Sequence, residues 1–126
     1  LERNYEKVYK ELVAIREACA GVILKVILET GELKTIESVF NASLIGAYAG
    51  ADFIKTSTGF GTGGATFEDV ALMKRETEGS GVKIKAAGGI RTLKTALEMI
   101  NLGVSRIGST SSVAIMEEYM ANSPLL

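Results

Sequence analysis

Four glycines set the frame of this chain. Gly21, Gly50, Gly81 and Gly103 each stand just before a short run able to form a strand, and a helical pattern follows each run. The units recur every 22 to 31 residues, the spacing of strand–helix units and too long for β-hairpins. Strands alternating with helices in this way build a parallel sheet with right-handed crossovers. One helix precedes the first unit. The expected fold is therefore α/β: a helix and then four parallel strand–helix units, in a single domain over residues 1–126.

The opening helix is expected over Leu1 to Ala20, where Tyr5, Val8, Leu12, Ile15 and Cys19 recur at steps of three and four. Val22 to Leu28 barely alternates and reads as a strand buried on both faces. A polar loop, Glu29 to Glu32, precedes a helix over Ile36 to Tyr48 whose apolar stripe is Ile36, Val39, Phe40, Leu44 and Ala47. The strand carrying Lys55 follows Gly50, and a loop with four glycines runs from Thr58 to Ala65. Thr66 is a good N-cap for a helix over Phe67 to Glu78, with Asp69 three residues on. The strand carrying Lys85 comes next, then the Gly88-Gly89 turn and a helix capped by Thr92 and running to Leu102. Val104 to Gly108 is the last strand, and a helix over Ser112 to Met120 closes the pattern. The lone proline, Pro124, breaks nothing upstream of it.

A parallel α/β sheet is either open and doubly wound or closed into a barrel, and both place chemistry at the carboxyl ends of the strands. Lys55, Thr56, Ser57, Lys85, Gly88, Gly108 and Ser109 all fall there. Charged groups from several strand ends converge, which favours the barrel. An eight-stranded barrel takes roughly 200 residues or more, so four units make half of one.

The chain contains no histidine, which leaves acid–base work to Lys, Asp, Glu, Tyr or water. With a single cysteine besides, Cys19, nothing argues for a zinc site. That lone thiol cannot form an internal disulfide and suits a reducing cytoplasm. A net charge of −1 gives no reason to expect nucleic acid or an anionic membrane as partner. The longest apolar run, Val22 to Leu28, is broken by Lys25 and too short to span a bilayer. The first residues do not read as an export signal, so the expected location is cytoplasmic.

Lys55 closes a buried strand in Asp52-Phe53-Ile54-Lys55-Thr56-Ser57-Thr58-Gly59, and Lys85 takes the matching place in Val82-Lys83-Ile84-Lys85-Ala86-Ala87-Gly88-Gly89. Alone, Lys55 would pack its stem in the core and let its amine snorkel to water. A second lysine alongside changes this. Two ammonium groups a few ångströms apart repel, and the pair sheds charge by deprotonating one. A neutral amine attacks a carbonyl to form a Schiff base, and the iminium is an electron sink for the adjacent carbon–carbon bond. Lys25 and Lys83 also lie in strands, Lys83 with the parity of Lys85, and each is expected to pair with an acid such as Glu29 or Asp52.

Gly88-Gly89 and Gly108-Ser109-Thr110-Ser111 are each ordinary turns taken singly. Together they fit a phosphate cradle, because glycine admits close backbone approach and helix N-termini offer free N–H groups to an anion. Arg91 either adds charge there or caps a surface. The glycines between Gly59 and Gly64 lack the lysine and spacing of a P-loop, so they mark no nucleotide site.

These stretches, with Leu24-Lys25-Val26-Ile27-Leu28-Glu29-Thr30-Gly31 and Arg106-Ile107-Gly108-Ser109-Thr110-Ser111, resemble the 2-deoxyribose-5-phosphate aldolase family in motif order and spacing over nearly the whole chain. The resemblance implies a class I aldolase on an eight-stranded barrel. Such an enzyme cleaves 2-deoxy-D-ribose 5-phosphate reversibly to D-glyceraldehyde 3-phosphate and acetaldehyde, without metal or other cofactor. It implies Lys55 as the Schiff-base lysine, Lys85 as its modulator, and Gly88, Gly89, Gly108, Thr110 and Ser111 around the phosphate. Phe60 stands where some members carry a lysine and others Phe-Gly. The match is to the C-terminal half, strands five to eight, so the family's third-strand aspartate has no counterpart. A second reading is accordingly a non-catalytic half-barrel that binds a phosphorylated sugar. A half-barrel leaves two sheet edges and an apolar inner face open, so the chain is expected to self-associate or to pair with a complementary half-barrel.

Overall fold

The structure is a computed structural model and describes residues 4–122. Four helices begin where a short polar side chain captures a free backbone N–H of the first turn. Asn4 caps α1 (Tyr5–Ala18), Thr35 caps α3 (Ile36–Tyr48), Thr66 caps α4 (Phe67–Thr77) and Thr92 caps α5 (Leu93–Asn101). The last helix, α6, spans Ser112–Asn122. The start of the expected first helix, Leu1 to Arg3, and Pro124 lie outside the described residues.

The strands are β1 (Lys25–Ile27), β2 (Phe53–Lys55), β3 (Lys83–Ala87) and β4 (Arg106–Gly108). They are all parallel and lie side by side in chain order. A doubly wound sheet reverses its strand order at a switch point. This sheet never reverses, so the fold is half of a (β/α)8 barrel.

Register divides the strand residues into two faces. Ile54 and Ile84 are partners, as are Ala86 and Ile107, and all four belong to the core that the helices cover. Val39 of α3, Val70 and Met73 of α4, and Ala96 and Met99 of α5 complete that core. The other face carries Lys25, Phe53 and Lys83 in one row and Ile27, Lys55, Lys85 and Arg106 in the next.

Three expectations need correction. Val22 and Ile23 are 60% and 61% exposed and Ile27 is also open, so the first strand is not buried on both faces. It is an edge strand, and the described chain places nothing on its free side. The inner face is not apolar either, since five of its positions are cations. Lastly, Lys25 and Lys83 find no acid among the described residues. Asp52 is taken by Arg16 at 2.7 Å, Glu29 by Thr58, and Lys83 instead sits over the Phe53 ring at 5.9 Å.

Two smaller departures have local causes. Glu29 to Glu32 is not all loop: α2 (Thr30–Leu33) makes one turn, anchored where Thr30 N–H donates to the Thr56 carbonyl at 2.9 Å. Ile36, placed on the apolar stripe, is exposed at the first position of α3, while Ser43 and Gly46 are buried. Gly46 is needed there because a Cβ would come within 2.9 Å of Ile54 Cγ2.

Candidate active site

The ends of β2 and β3 are locked together before any reactive group is placed. Thr56 is fully buried, and its hydroxyl donates to the Ala87 carbonyl and accepts from Ala87 N–H, both at 3.1 Å. This holds Lys55 and Lys85 as direct partners across the sheet. Adjacent strands run about 4.8 Å apart, so the two stems rise side by side from the inner face.

The glycine-rich loop folds back over this end. Ala65 N–H reaches both the Ala87 and Gly88 carbonyls, at 3.1 and 3.0 Å. A Cβ on Gly64 would stand 2.4 Å from Gly88 oxygen, so only glycine admits the approach. Gly88 and Gly89 have φ of +91° and +77°, and the turn they make exposes backbone ahead of α5. Across from it, Ser109 Oγ donates to the Ile90 carbonyl and accepts from Ser111 N–H at 2.9 Å, which fixes the turn ahead of α6.

Between these turns lies a cavity of about 340 Å³. Lys55 stands on its wall with Gly88, Gly89, Gly108 and Thr110, and Arg91 adds a guanidinium. Five of the residues the sequence singled out are thus brought into one space. Lys85 is not on the wall; it lies beside Lys55 on the adjacent strand, β3. Ser111 is not on the wall either, and its N–H is already bonded to Ser109.

Burial first, and then the charges of Lys55, Lys25 and Arg106, push the Lys85 amine below the usual lysine range. The sequence predicts that one amine of the lysine pair sheds charge, and Lys85 is placed to do so. Close packing contributes, since a Cβ on Gly108 would lie 3.3 Å from Lys85 Cε.

Ser109, already placed in the cradle stretch by the sequence, also lines the cavity, as do Thr58 and Gly59, which were missed as site residues. Thr58 is held by Glu29, whose two carboxylate oxygens accept from Thr58 N–H at 3.0 Å and Thr58 Oγ1 at 2.6 Å. Glu29 does so from a left-handed backbone, φ 54°, which costs a non-glycine residue about 1 kcal/mol. The signal available in the sequence was position: Glu29 stands just past β1 as Ser57 stands just past β2. Among the described residues no group of three or more His, Cys, Asp or Glu is placed to hold a metal ion.

Similarity to known proteins agrees with this geometry. The DeoC/LacD aldolase family matches residues 2–110. Deoxyribose-phosphate aldolase 1 of Vibrio vulnificus is 50% identical over 116 residues, 92% of this chain and 52% of that protein. The deoxyribose-phosphate aldolase of Brevibacillus brevis is 51% identical over 113 residues, 90% of this chain and 50% of that one. Among solved structures, the aldolase QR15 superposes with a TM-score of 0.86 at 43% identity, covering 97% of this chain and 54% of its own. The tetrameric deoxyribose phosphate aldolase of Aeropyrum pernix superposes with a TM-score of 0.83 at 31% identity, covering 98% and 53%. The chain spans about half the length of the curated relatives it matches. By the extent of the family match and these identities, it belongs to the DeoC/LacD family of aldolases.

Proposed function

We propose that this chain carries the Schiff-base half of a 2-deoxyribose-5-phosphate aldolase site. One observation carries the reading: Lys55 and the glycine turns around Gly88 and Gly108 share a single cavity. An amine and an anion cradle in one space suit an aldehyde that bears a phosphate. The cradle is formed by Gly88, Gly89, Gly108 and Thr110 at the N-terminal ends of two helices, where free N–H groups and the helix dipole favour an anion. Arg91 supplies a further positive charge.

The chemistry then follows in order. Once its proton has been taken up, Lys55 Nζ adds to the aldehyde carbon of open-chain 2-deoxy-D-ribose 5-phosphate, and water leaves as the iminium forms. The electron pair of the bond between the second and third carbons moves toward the iminium while the third-carbon hydroxyl passes its proton to a water molecule. Glyceraldehyde 3-phosphate departs and an enamine remains on Lys55. A proton added to the enamine carbon regenerates an iminium, and water releases acetaldehyde and the free amine. Lys85, with its amine below the usual lysine range, is suited to take up a proton from Lys55 or its water and give it back. No metal or other cofactor enters this sequence. A cytoplasmic setting suits the phosphorylated sugar and the lone thiol of Cys19.

The competing reading, a half-barrel that binds a sugar phosphate without turnover, draws support from Glu29. This acid is bonded to a residue of the cavity wall, and both its oxygens are committed to Thr58. Borohydride reduction with acetaldehyde, followed by mass mapping, separates the two. The expected result is an adduct on Lys55 that Lys55→Met abolishes, with the retro-aldol rate of the assembled protein lost in the same variant. Sugar phosphate binding with no adduct, or an adduct on another lysine, overturns the assignment.

A further inference from the structure

Two carboxylates from the turn after β1 hold down the glycine-rich loop. Glu29 accepts from Thr58 N–H and Thr58 Oγ1, at 3.0 and 2.6 Å, and Glu32 accepts from Thr62 Oγ1 at 2.6 Å. The segments also touch between these bonds. A Cβ on Gly31 would lie 2.9 Å from Gly63 Cα, and a Cβ on Gly61 would lie 3.1 Å from the Glu29 carboxyl carbon. The two anchors differ in what they reach, because Thr58 lines the cavity and Thr62 does not. They differ in strain as well. Glu32 makes its bond from within α2, whereas Glu29 makes its own from a left-handed backbone. Strain of that kind is kept where geometry is held for a purpose, and anchoring the loop does not account for it, since Glu32 anchors without it.

The bond from Thr58 to Glu29 also settles what Thr58 can do. A threonine hydroxyl has one proton and two lone pairs. The proton of Thr58 goes to Glu29, and one lone pair takes the Phe60 N–H at 3.1 Å. A single lone pair is left, on an exposed side chain of the cavity wall. Thr58 can therefore only accept. The carboxylate behind it draws the proton outward and enriches the charge on Oγ1, which makes the acceptor a strong one. The wall at Gly88, Gly108 and Arg91 has the reverse character, with backbone N–H groups and a guanidinium. On a phosphorylated hydroxyaldehyde the carbonyl and the phosphate dianion only accept, and the hydroxyls alone donate. Phosphate is thus turned away from Thr58, and a hydroxyl is drawn to it.

We propose, on the aldolase reading of this cavity, that Glu29 is a positioning residue: from outside the cavity it fixes the Thr58 hydroxyl as a pure acceptor, so that this part of the wall reads a hydroxyl of the sugar. Glutamine in its place keeps the shape and changes the sense. Its oxygen accepts from Thr58 N–H while its NH2 donates to Thr58 Oγ1, which fills the last lone pair and removes the charge. Whatever bond Thr58 then makes to the sugar is a neutral one, about half as strong.

Trapping at Lys55 in the 126-residue chain tests this with two aldehydes. Acetaldehyde has no hydroxyl, and 2-deoxy-D-ribose has hydroxyls but no phosphate. Borohydride reduction and mass mapping give the concentration of each that half-labels Lys55. Glu29→Gln should raise that concentration about tenfold for the sugar and leave it within about twofold for acetaldehyde. Glu32→Gln loosens the other anchor and should change neither. Thr58→Val alters an exposed side chain and supplies the same reading should Glu29→Gln not fold. It should show the same split, Thr58→Ser should restore the sugar, and Glu29→Gln/Thr58→Val should be no worse than Thr58→Val, since Glu29 acts through Thr58. A Glu29→Gln that weakens both aldehydes alike, or weakens neither, overturns the role. So does a Glu32→Gln as selective as Glu29→Gln, or losses that add in the double variant. These outcomes leave the aldolase reading standing, because wild-type Lys55 is labelled in all of them. A wild type whose Lys55 is labelled by neither aldehyde overturns that reading and the role of Glu29 with it.

Discussion

The two faces of one four-stranded sheet follow opposite rules. On the covered face, Ile54, Ile84 and Ala86 are wholly buried and every position is apolar. On the open face, one residue along each strand, Lys55 partners Lys85 and Lys85 partners Arg106. The backbone is shared, so the difference is entirely in the side chains. The covered face is built for burial and holds the chain together. The open face places like charges side by side, which weakens the fold and is useful only for chemistry or for a partner.

Neighbouring residues of β3 give the largest contrast. Ile84→Lys puts an ammonium into the core under α4 and should destabilise by more than about 4 kcal/mol, enough to unfold a domain of marginal stability. Lys83→Met, one position away and facing the other way, should change stability by only about 0.5 kcal/mol. Urea unfolding followed by far-UV circular dichroism reads both. Similar losses in the two variants would mean that the faces are not distinct.

A smaller effect is expected where the sheet meets α1. The Arg16 guanidinium donates to Asp52 at 2.7 Å, to the Gly50 carbonyl at 3.3 Å and to the Cys19 carbonyl at 2.8 Å, tying the helix to the start of β2. Arg16→Met should cost about 2 kcal/mol, since hydrogen bonds from a charged donor are lost together. Acid sharpens the point. The Leu24 N–H and then Arg16 hold the Asp52 carboxyl below the usual aspartate range. A carboxyl depressed in the folded state contributes stability above its unfolded pKa of about 4 and loses it as pH falls through the folded value. Asp52→Asn should therefore flatten the loss of stability below about pH 4. An unchanged acid limb would show that another carboxylate governs it.

How much of this was legible in the sequence divides along the same two faces. Glycine spacing and the short apolar runs that follow it place every strand, because the covered face is decided by neighbours the chain itself supplies. Lys55, Lys85, Gly88 and Gly108 are legible too, since strand ends in a parallel sheet converge wherever they occur. The exposure of Val22 and Ile23 is not legible: their pattern encodes burial against a surface that the described residues do not provide. Arg16 and Glu29 act on partners 36 and 29 residues away, and no local periodicity registers such contacts. The turn at Thr30–Leu33 is hidden for the same reason, held by β2 and not by its own helix propensity.

The smallest effect is the most discriminating, because its sign runs against intuition. Lys85 has its pKa lowered in the fold, so between that value and the ordinary lysine value of about 10.4 the unfolded chain binds more protons than the folded one. Stability should rise with pH across that window. Below it both states are protonated, and the fold bears the full penalty of a crowded cation. Lys85→Met removes the penalty, so it should raise the urea midpoint at neutral pH and abolish most of the alkaline rise, whereas any cation added to the covered face lowers the midpoint at every pH. Urea midpoints measured for wild type and variant between neutral pH and about pH 10 decide the matter. A variant that keeps the wild-type slope would mean that the strain on the open face is not held at residue 85. A variant less stable at neutral pH would mean that its alkyl stem packs more than its charge repels.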